Sequence, residues 1–66
     1  MKLETLLKRK EISMVLFNRL KNNHINTTNE LKESIHLNEI LKQGSNSRLN
    51  HLLWAEIATL TDRKII

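Results

Sequence analysis

ISMVLFNRLKNNHINTTNELKESIHLNEILKQGSNSRLNHLL, Ile12 to Leu53, reads as short helical segments arranged around a single glycine, Gly44. Ser13 stands at an N-cap position ahead of a helix over 14–22, with Leu16, Leu20 and either Met14 or Phe17 facing inward. On that helix Asn18, Arg19 and Lys21 lie more toward solvent. Asn22-Asn23-His24 ends it, because Asn tolerates the left-handed backbone that a helix terminus requires. Thr27-Thr28-Asn29-Glu30 fits a capping box, with Thr27 as N-cap and Glu30 at the third helical position. A short helix over 28–34 follows, its start closed over by Ile25 and Leu31. Leu37, Ile40 and Leu41 mark another, stopped by Gly44, the residue type that takes a positive φ without steric cost. Ser45 or Ser47 then caps a last helix running to about Thr61, with the stripe Leu49, Leu52 or Leu53, Ile57 and Leu60.

Outside this stretch, residues 1–11 carry Leu3, Leu6 and Leu7 at helical spacing, followed by the basic run Lys8-Arg9-Lys10, which suits a helix C-terminus. Residues 12–62 form the core of the domain and 63–66 a tail that either packs or frays. Trp54 falls at the edge of the last helix's stripe, as a lid over a small core. No proline, one glycine and no alternating apolar pattern point to an all-α fold, a compact bundle of four to five short helices. At 66 residues the chain makes one domain with a small core.

Composition narrows the function. There is no cysteine, which excludes disulfides and thiolate metal sites and fits a reducing cytoplasm. Apolar runs are far too short to span a bilayer, so no membrane partner is expected. The histidines His24, His36 and His51 lack the i, i+4 pairing of a helical zinc site, and no metal or other cofactor is expected. No nucleophile elbow or nucleotide-cradling glycine loop is present, and a chain this small has little room for a water-excluding cleft. Neither catalysis nor a small-molecule substrate is expected. Two aromatic residues are too few for single-strand binding by base stacking. The net charge of +4 is uneven: residues 1–24 carry +4, 25–41 carry −2 and 42–66 carry +2. Two basic stretches meeting on one face would attract phosphate, and so would the backbone N–H groups of the Gly44–Ser47 turn.

Ile12-Ser13, Asn18, Leu20-Lys21 and Ile25, then Thr27 or Thr28 with Glu30-Leu31, then Gly44 and Ser47, follow a recognisable order. In it the chain resembles the C-terminal domain of the bacterial RNA polymerase α subunit. That family shows L-S-x-R-x-x-N-x-L-K-x-x-x-I, then T-x-x-[DE]-L, then a glycine hairpin, usually G-K-K-S, leading into a last helix. The resemblance covers about two-thirds of the chain and implies a helix-hairpin-helix-like unit. It further implies that the first core helix and the glycine turn meet double-stranded, A·T-rich DNA in the minor groove, and also meet transcription factors. By position, Asn18, Gly44 and Ser47 are the implied DNA-facing set; Arg19, Lys21, Asn46 and Arg48 stand close by in sequence. At two positions the chain departs from the family: Val15 replaces the minor-groove arginine and Asn46 a hairpin lysine. Arg19 and Arg48 are the candidates to substitute.

Two functions follow. The first is a stand-alone DNA-binding, transcription-regulating module. The second is a protein-interaction module that keeps the fold, binds no DNA and docks on RNA polymerase or a regulator through Val15 and Trp54, as a phage or plasmid product would. A helix-turn-helix over Thr28–Leu53 ranks below both, because an extra short helix intervenes.

Overall fold

The computed structural model describes residues 1–44 and 46–66. Among them, five helices follow one another: α1 (Leu3–Lys8), α2 (Met14–Asn22), α3 (Thr28–Glu33), α4 (Leu37–Lys42) and α5 (Ser47–Asp62). The described residues contain no β-strand. A single isolated bridge pairs Lys2 with Thr27, where the Leu3 N–H donates to the Asn26 carbonyl (2.9 Å) and the Thr28 N–H to that of Met1 (2.8 Å).

The helix starts follow from local chemistry. Ser13 Oγ accepts the Leu16 N–H at 3.2 Å, fixing the first turn of α2. At α3, Thr27 Oγ1 accepts the Glu30 N–H (3.2 Å) and donates to Glu30 Oε1 (3.1 Å). The reciprocal arm of this capping box lands one residue early, since Glu30 Oε1 accepts from the Asn26 N–H at 3.3 Å. The last helix departs from expectation. Its N-cap is Asn46, in extended backbone, whose Oδ1 accepts the Leu49 N–H at 2.8 Å, and Ser47 is already helical. Asn competes with Ser as an N-cap, so a one-residue shift was open to the chain. Ser45, the other expected cap, lies outside the described residues.

The helix ends are more uniform than their sequences. After α1, α2 and α5 the chain closes with the same pair of hydrogen bonds. At α2 the Ile25 N–H donates to the Leu20 carbonyl (2.9 Å) and the His24 N–H to that of Lys21 (3.0 Å). Glu11 and Lys10 repeat this at α1, and Ile65 and Lys64 at α5. Each is a Schellman motif, which needs one left-handed residue just past the helix. Those residues are Lys10 (φ 59°), His24 (φ 64°) and Lys64 (φ 60°), so the left-handed position after α2 falls on His24 and not on an asparagine. Only α4 is followed by a glycine in this region: Gly44 has φ 62°.

All five helices feed one core. Leu3 and Leu6 of α1, Leu16 and Leu20 of α2, Leu31 of α3, Leu41 of α4, and Leu53 and Leu60 of α5 are all fully buried. Ile12, Phe17, Ile25, Ile40 and Ile57 complete it. The open alternatives resolve as Phe17 inward with Met14 outward, and Leu53 inward with Leu52 outward. Trp54 packs half-buried against this core, as do Ile65 and Ile66 of the tail. The radius of gyration is 10.7 Å, close to the roughly 10.8 Å expected of a compact domain this long. α2 packs on α1 and α4, and α4 packs on α5.

Left-handed backbone makes a paired prediction. His24→Gly removes a Cβ penalty of about 1–2 kcal/mol against about 0.5–1 kcal/mol of added chain entropy, a net gain near 0.5–1 kcal/mol. Gly44→Ala runs the other way by a similar amount, although no atom lies within 4 Å of the added Cβ. Urea unfolding of both variants checks the opposite signs.

Candidate functional site

Helical spacing places Val15, Asn18, Arg19 and Asn22 on one face of α2, opposite the buried Leu16 and Leu20. This face does not stand alone. Together with Asn23 and with Gln43 at the end of α4, it lines a cleft of about 410 Å³. Asn23 ties the two elements together, its Nδ2 donating to the Arg19 carbonyl (2.8 Å) and lying 3.5 Å from Gln43 Oε1. The lining therefore offers one arginine, four side-chain amides and one valine, and no carboxylate.

Arg19 is the unusual member. Its side chain is half-buried, and its Nε is sealed from solvent with no hydrogen-bond acceptor. The ion pairs among the described residues, His36–Glu39 and Arg63–Glu11, do not involve it.

The other expected DNA-facing residues distribute unevenly. Asn18 lines the cleft; Gly44 directly follows Gln43 at its rim. Asn46, Ser47 and Arg48 are exposed around the start of α5, but the Asn46 side-chain carbonyl is engaged in capping. Lys21 does not reach the cleft. Its ammonium sits 5.7 Å from the centroid of the Phe17 ring.

A second, mostly apolar groove of about 470 Å³ runs between the start of α2 and α5. Ser13, Val15, Leu49, Leu52, Leu53, Ala55, Glu56 and Thr59 line it, and Val15 is the wall it shares with the first cleft. Val15 and Leu52 are both about half exposed, at 46% and 52%. Trp54 lines neither cavity.

One contact crossing this groove has no local signal in the sequence. The Glu56 carboxylate accepts both the Ser13 N–H (2.6 Å) and the Ser13 hydroxyl (2.9 Å), joining residues 43 apart. A carboxylate from α5 thus sits at the positive end of α2 and complements its dipole. Gln43 was equally hidden as a cleft residue. The cleft roles of Asn22 and Asn23 were readable, since they follow Asn18 and Arg19 at i+4.

Among the described residues, no group of His, Cys, Asp or Glu is arranged to hold a metal, and no helix is long and apolar enough to cross a membrane. Comparison with protein-family models, curated proteins and solved structures finds no match for the chain.

The Ser13–Glu56 contact is testable by a double-mutant cycle. Ser13→Ala costs about 1 kcal/mol as a lost N-cap, and Glu56→Ala a similar amount. Measured by urea unfolding, the double variant falls short of the sum by about 0.5 kcal/mol or more. Simple additivity would show the two residues to be energetically independent.

Proposed function

We propose that this chain is a small DNA-binding module acting in transcription. Its DNA surface is the outer face of α2 together with the described residues of the 43–48 segment. The observation that carries this reading is the shared cleft, in which α2 and the end of α4 bring together an arginine and four amides without a carboxylate. The Asn18 and Asn22 amides can both donate to and accept from base edges, and the arginine supplies the positive charge that a DNA backbone attracts. The order of motifs that resembles the RNA polymerase α-subunit domain adds support, because it implicates the same helix and the same glycine turn. Val15 stands where that family has its arginine. Arg19 lies one turn further along the same face and supplies a guanidinium to the cleft.

With about three phosphate contacts, log K falls against log salt with a slope near −3. Asn18→Ala and Arg48→Ala each weaken binding of a short A·T-rich duplex by about 1 kcal/mol, most visibly at low salt. Fluorescence anisotropy over a salt series checks this. Wild-type affinity in both variants would remove the proposed surface.

The apolar groove favours a second reading, in which the chain docks on a protein such as RNA polymerase or a regulator. Half-exposed Val15 and Leu52 supply apolar contact area where a DNA surface favours charge. Trp54 packs half-buried against the core and does not line the groove, so Leu52 is the more direct probe. Under this reading the chain captures polymerase and binds no duplex, and Leu52→Asp abolishes the capture while leaving the helical content intact; the first reading predicts duplex binding that Leu52→Asp leaves unchanged.

A further inference from the structure

The orphaned guanidinium nitrogen in the α2 cleft points to a specific ligand chemistry. We propose that Arg19 captures a phosphate group, seating one backbone phosphate of the bound nucleic acid; the inference rests on the DNA reading above and assigns its charged anchor. A buried donor without an acceptor is costly, and native structures rarely leave one without a role. Here the nitrogen belongs to a side chain that forms no ion pair and lines an open cleft without a carboxylate. Turning the guanidinium toward the cleft therefore sacrifices no hydrogen bond at Nε.

The ligand that fits is an oxyanion taken by the planar fork of Nε and a terminal nitrogen, the geometry in which arginine binds most strongly. A carboxylate would satisfy the fork with both of its oxygens. A phosphate has further oxygens, and the Asn18 and Asn22 amides lining the same cleft supply donors for them. Lysine would bring the charge without the fork. Val15 gives the cleft one apolar wall.

The test follows the Arg19 Nε–H resonance in the labelled full chain by heteronuclear NMR, with inorganic phosphate in one arm and a short A·T-rich duplex in the other. The resonance should move in both arms. Arg19→Gln should weaken the duplex about tenfold and make the salt slope shallower by about one, whereas Arg19→Lys should keep the slope and bind less tightly. Amide spectra of both variants establish that they remain folded. A phosphate-induced shift without duplex binding would sustain the phosphate site and overturn the DNA reading. Undiminished duplex binding by Arg19→Gln, with a stationary Nε–H resonance, would overturn the inference and leave DNA binding intact. A silent resonance in both arms, with no duplex bound, would overturn both.

Discussion

None of α1 to α4 exceeds nine residues, and isolated helices shorter than about 12–15 residues are marginal in water. The fold therefore depends on the shared leucine core, with the caps and closing turns fixing where each helix starts and stops. α2 is the pivot. It buries Leu16, Phe17 and Leu20, and it packs on both α1 and α4. Its N-terminus is clamped by a carboxylate from α5 and its C-terminus by the turn through His24. Ile25 is the residue that follows that turn, and it is buried with Leu20, so the closing hydrogen bonds and the hydrophobic burial reinforce one another.

A helix held at both ends and along its inner face presents its outer face rigidly. That is why Val15, Asn18, Arg19 and Asn22 make a defined surface, and why Asn23 can join it to the end of α4 through Gln43. Preorganised side chains lose less entropy on binding than those of a mobile loop. The outer face is also where the chain leaves an arginine donor unsatisfied and a valine half exposed.

Much of the fold was legible because its signals are local. The capping box at Thr27–Glu30, the Ser13 cap, the Gly44 stop and the leucine spacing all act within four residues. The misjudged details share a cause. Ser47 and Asn46 are both capable caps, and the choice between them depends on how α5 meets the core. Likewise, the left-handed position after α2 fell on His24 because the closing turn needs that backbone wherever the buried face of the helix ends. The site was less legible. Asn18 and Arg19 were readable from spacing, as was the place of Lys21 off that face, at i+4 from Phe17, but Gln43 enters through the packing of α4. The Glu56 clamp on Ser13 exists only in three dimensions.

The most direct test of the central claim is an amide chemical-shift map of the labelled chain with a short A·T-rich duplex, recorded at low and near-physiological salt. Shifts should appear over Val15–Asn23 and at Gln43, Gly44 and Asn46–Arg48, weakening as salt rises, with Leu52–Thr59 unmoved. An unchanged spectrum at low salt, or shifts confined to the Val15–Leu52 groove, would contradict it.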